Sequence, residues 1–158
     1  MFRSAIAFLE TQGVPTPFAT AIIRLLLGSI CGGLIGLERE MKGRPAGLKT
    51  FSLVCMGATL VMVTNEFIYV NVANSTGDSA RMAAQVISGI GFLGAGTIMT
   101  TGNDRVKGLT TAAALWVTAA IGIAIGTGFC FGGIAGLIVQ SRDACLLYTS
   151  PSPRDKRQ

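Results

Sequence analysis

Five side chains of this 158-residue sequence could act together: Arg24, Glu66, Asp78, Arg81 and Gln85. Two carboxylates can hold a hard divalent cation through oxygen, with several waters retained. Two guanidiniums beside them cancel that charge and make a poor cation trap. The same four ions read equally well as a structural network, Arg24 with Glu66 and Asp78 with Arg81, because a charge out of water is costly unless paired. Catalysis finds less support. There is no His, so the usual proton shuttle is missing. No nucleophile–base pair is visible, and the chain reads as a non-enzyme. Cys31, Cys55, Cys130 and Cys145 show no C-x-x-C spacing, and the first three sit in apolar runs. Neither a zinc site nor a disulfide framework is expected. No cofactor is implied, and metal ligation stays undecided. Gly89 to Gly94 matches the G-x-G-x-x-G phosphate pattern, but it lies inside an apolar run with no preceding strand.

The elements that must position these groups are membrane helices. The chain is 50% hydrophobic and 13% charged, where a soluble domain carries about 25% charged residues. A first span is expected over about Phe18 to Leu37, a second over Thr50 to Val70, and a third over Met82 to Met99. Leu109 to Val139 then runs 31 residues without charge. One helix of that length would rise about 46 Å, against a hydrocarbon core of about 30 Å. It must break, and Gly126-Thr127-Gly128 is the place. The expected fold is all-α, a polytopic transmembrane helix bundle with four complete spans plus a truncated fifth. Residues 1–17 read as an N-terminal interfacial segment and linker, and residues 18–140 as the transmembrane domain. Residues 141–158 read as a non-native tail. Its end, LLYTSPSPRDKRQ, resembles a translated sequencing adapter, with a genuine basic juxtamembrane tail as the alternative. Without 141–158 the net charge falls from +5 to +3, and the membrane reading survives.

Loop charge sets the orientation. Arg39, Lys42, Arg44 and Lys49 cluster after the first span, and Arg105 and Lys107 after the third. Positive loops face the cytoplasm, so the N-terminus lies outside and the multi-pass chain places Arg24, Glu66, Asp78, Arg81 and Gln85 toward the outer side. The basic charge is thereby explained without nucleic acid. On the inner side, Gly36, Glu38, Arg39, Arg44 and Gly47 form an interface motif, with the charges at the lipid boundary where snorkelling is cheap. Thr110 and Thr111 could cap the fourth span. Gly28, Gly32 and Gly36 share one face of the first span, as Gly128, Gly132 and Gly136 do on the fifth, and such faces let helix backbones approach closely. They serve packing within the chain or self-association. Gly89, Gly91, Gly94 and Gly96 offer small residues on several faces, for packing or local unwinding. Trp116 lies seven residues into its span and is expected between helices.

The runs RLLLGSICGGLIGLERE (Arg24 to Glu40), RPAGLKT (Arg44 to Thr50), DSARMAAQVISGIGFLGAGTIM (Asp78 to Met99) and VKGLTTAAALWVTAAIGIAIGTG (Val106 to Gly128) resemble the MgtC/SapB family of bacterial inner-membrane proteins. The resemblance covers about Phe18 to Val139. It implies a small polytopic plasma-membrane protein tied to growth at low magnesium and, in pathogens, to survival inside host cells. Some members add a soluble C-terminal domain. Two functions remain open. The first is regulation of magnesium homeostasis by helix–helix contact with membrane partners, and the alternative is a magnesium transporter or channel. The partners so implied are the lipid bilayer, a second copy or other membrane proteins, and magnesium ion. All carboxylates lie near span ends, with only Gln85, Ser88 and glycines noted deeper, which favours regulation.

Overall fold

The computed structural model describes residues 16–71, 78, 80–101 and 105–149. The expected interfacial segment before Thr16 and the last nine residues of the tail lie outside the described residues. Five helices follow in order: α1 (Thr16–Met41), α2 (Leu48–Asn71), α3 (Arg81–Thr97), α4 (Leu109–Gly126) and α5 (Cys130–Thr149). The fold is an all-α bundle. Its only described strands are β1 (Met99–Thr101) and β2 (Arg105–Lys107), three residues each, paired antiparallel with Met99 opposite Lys107. Among the described residues three helices are long and apolar enough to cross a membrane: Phe18–Met41, Leu48–Asn71 and Leu109–Gly126. The shorter α3 has 17 residues, a rise of about 26 Å.

The boundaries follow local chemistry. The expected break after Gly126 is present, and Gly128 takes a left-handed φ of +86° that a Cβ would oppose. Gly108 has φ +96°, and any Cβ there would meet the Thr97 carbonyl. That contact closes the α3–α4 link and starts α4. The third span ends earlier than expected because Ile98 turns extended (φ −89°, ψ 118°) and feeds the hairpin. The fifth helix runs past Val139, the end of the sequence-read span, to Thr149.

Helix α4 packs against each of the other four helices and forms the axis of the bundle. Its buried face carries Thr111, Leu115, Thr118, Gly122, Ile125 and Gly126. Phe51, Cys55 and Thr59 of α2 fill the opposite wall and are fully buried. Helix α3 leans on α4 and only lightly on α2, so most of its surface faces outward.

Candidate functional site

Polar groups gather at both ends of the bundle and are held differently. In the half of the bundle where α1 begins and α2 ends, α1 has no glycine before Gly28, and α1 and α2 part around a groove of about 460 Å³. Its walls include Phe18, Ala21, Val63, Phe67 and Val70. Arg24 and Glu66 meet in this groove as an ion pair. Arg24 Nη1 also donates to the Gly126 carbonyl at 3.1 Å. That carbonyl ends α4, where unsatisfied C=O groups carry partial negative charge. The guanidinium thus serves two acceptors, while the Glu66 side chain stays 53% exposed.

Three members of the expected network, Asp78, Arg81 and Gln85, do not join that pair. Asp78 accepts the backbone N–H of Ala80 at 3.0 Å, an Asx turn leading into α3. Among the described residues it makes no ion pair with Arg81, which is exposed, as is Gln85. Asp78 is engaged by the Ala80 N–H, and α3, which carries Arg81 and Gln85, packs on α4 rather than on α1.

In the opposite half, where α1 ends and α2 begins, three glycines close α1 onto α2. An added Cβ would lie 2.5 Å from Thr59 Oγ1 at Gly28, 2.7 Å from Cys55 Cβ at Gly32 and 2.6 Å from Leu48 Cα at Gly36. Arg39 is not a snorkelling anchor. It turns inward, donates from Nη2 to Thr111 Oγ1 at 2.6 Å and lies 5.0 Å from the Phe51 ring centroid. Its Nε is buried and has no hydrogen-bond partner among the described residues. Glu38 instead pairs with Lys42 at 2.6 Å, one turn along the helix. Glu40 Oε2 accepts the Leu48 N–H at 3.0 Å and so caps α2. Gly47 makes room for this, since a Cβ there would approach Glu40 Oε2 to 2.8 Å. Arg44 is exposed, and its N–H bonds the Arg39 carbonyl.

The MgtC family model matches residues 25–142. The chain belongs to the MgtC family. It is 46% identical over 124 residues to YhiD of Escherichia coli K12, covering 77% of this chain and 57% of that protein. It is 44% identical over 118 residues to MgtC of Salmonella typhimurium LT2, covering 75% and 48%. SapB of Bacillus subtilis is 38% identical over 120 residues, covering 74% and 52%. The chain spans about half the length of the curated relatives it matches. No solved structure gives a significant match. Family membership and apolar helices together make this a membrane protein.

Several residues of this MgtC-family chain sit where sequence reasoning did not put them. Thr111 is buried against Arg39 and caps nothing; Gly108 holds the N-cap position of α4. Trp116 is 48% exposed on the outside of the bundle. On α3, Gly94 packs against Ala112, while Gly89, Gly91 and Gly96 have nothing among the described residues within 4 Å of an added Cβ. The run stays helical through Thr97. On α5, Gly132 packs against its own neighbour Phe129, and Gly136 faces Ile121 of α4.

Other polar groups were missed altogether. Thr59 Oγ1 donates to a carbonyl, with Cys55 O at 2.9 Å and Gly122 O at 3.0 Å. Thr118 bonds Ala114 O at 2.8 Å, and Gln140 Nε2 reaches the same carbonyl at 3.3 Å. With Arg39 on Thr111 and Arg24 on Gly126, they make a polar ladder along α4. The available signal was a lone hydroxyl or amide inside each apolar run, which in lipid marks an interhelical hydrogen bond.

Proposed function

We propose that this chain is a multi-pass regulatory protein of the bacterial inner membrane, with its N-terminus outside, that supports magnesium homeostasis by docking on other membrane proteins. The link to magnesium comes from its relatives: YhiD of E. coli K12 is named, provisionally, as a magnesium transporter. Basic residues after α1 and in β2 support the orientation.

One observation carries the regulatory reading. Glycines of α1 and α4 are consumed by packing inside the chain, whereas Gly89, Gly91 and Gly96 of α3 are bare among the described residues. They share an outward surface with exposed Gln85 and Ser88. In lipid, small residues with a polar neighbour are what another helix packs against. The bundle axis, by contrast, is filled by Phe51, Leu115, Ile125, Thr59 and Thr118.

The test is magnesium entry into liposomes holding the purified full-length protein. The expected flux equals that of empty liposomes. Entry above that level, abolished by Glu66→Gln, overturns the regulatory reading in favour of transport.

A further inference from the structure

The outer groove between α1 and α2 has a built polar floor and apolar walls. Arg24 and Glu66 supply one charge of each sign. Phe18, Ala21, Val63, Phe67 and Val70 supply the hydrocarbon surface. Arg24 lies about 9 Å along α1 from Phe18, within the outer part of the span. The Glu66 side chain, already paired with Arg24, is still 53% exposed in the groove and keeps acceptor capacity for a further donor.

We propose that this groove is a binding site for a zwitterionic aminophospholipid, with its ammonium on Glu66 and its phosphate on Arg24. The donor inventory fits. An ionised carboxylate only accepts, and a primary ammonium brings three donors. The Arg24 bonds to Glu66 and Gly126 both leave from Nη1. Nη2 lies on the side of Gly128, where a Cβ would press to 3.0 Å. A guanidinium offers five donors and pairs well with phosphate. An anionic headgroup without an amine meets repulsion from Glu66. A choline headgroup carries a positive charge but no N–H to donate. The acyl stems lie along the aromatic and aliphatic walls.

The experiment titrates the purified full-length protein with phosphatidylethanolamine, phosphatidylglycerol or phosphatidylcholine and counts retained lipids by native mass spectrometry. Phosphatidylethanolamine is expected to be retained about tenfold better than either competitor. Glu66→Gln should erase that preference. Ala21→Phe, which leaves the ion pair in place and fills the groove, should lower retention of phosphatidylethanolamine at an unchanged unfolding temperature. Equal retention of the three lipids by the wild-type protein overturns the proposal. So does full retention by Ala21→Phe, which stands whether or not Glu66→Gln folds. Lipid retention is read without magnesium, so its failure is distinct from failure of the regulatory reading.

Discussion

Arg24 and Arg39 lie on the same helix and are neutralised in opposite ways. Arg24 sits where α1 and α2 diverge, and it has a carboxylate, a helix-terminal carbonyl and an open groove. Arg39 sits where glycines bring the helices together, and it has a hydroxyl, an aromatic face and a sealed Nε. Backbone distance decides which solution is available. Close helices exclude both water and a long acidic side chain, so Arg39 is held by short groups. Splayed helices admit Glu66 and leave room for a ligand.

Gly32→Leu breaks the comparison most severely, because the added atoms meet the Phe51 backbone and Cys55. A loss of about 3 kcal/mol or more is expected, read as lost expression and a collapsed unfolding temperature in detergent. Ala21→Leu, on the open half, should leave that temperature nearly unchanged. The next largest effect separates the arginines. Arg24→Met strands Glu66 and should cost about 1–2 kcal/mol, reduced by the partial exposure of that carboxylate. The double change Arg24→Glu, Glu66→Arg should recover more expression than either single one. Arg39→Met strands no partner ion and should be close to neutral in thermal unfolding. If it is the more damaging of the two, the contrast is wrong. Glu40→Ala removes the α2 cap and should cost about 1 kcal/mol, seen as faster amide exchange at Leu48. Smallest is Thr59→Val, about 0.6 kcal/mol for one interhelical hydrogen bond, measured by thermal unfolding.

Much of the architecture was legible because lipid makes hydropathy decisive. The spans, the break at Gly128 and the small-residue face of α1 all follow from composition and glycine spacing. The hairpin was overlooked although Gly102-Asn103-Asp104 is a turn-type run between short segments. Arg39 was misplaced because charge at a span boundary suggests snorkelling, and only the close approach at Gly36 shows that the side chain has a pocket to enter. Asp78 was paired with Arg81, and both were placed in one network with Arg24 and Glu66, by sign alone. Sequence does not reveal which way a helix leans, and α3 leans toward α4. Trp116 failed for the same reason: depth along a helix is readable, but rotation about it depends on partners not yet placed.

The central position of α4 bears on how the protein is made. The helix that touches all the other described helices is the fourth of them to be synthesised. An α1–α2 hairpin can zip as soon as Cys55 and Thr59 reach Gly32 and Gly28. Helix α3 has no such companion and must wait while the ribosome adds the residues up to Gly126, a delay of seconds at about 5–20 residues per second. Assembly is therefore expected to be sequential. A chain stalled before α4 leaves α3 adrift in the bilayer, an exposed target for membrane quality control.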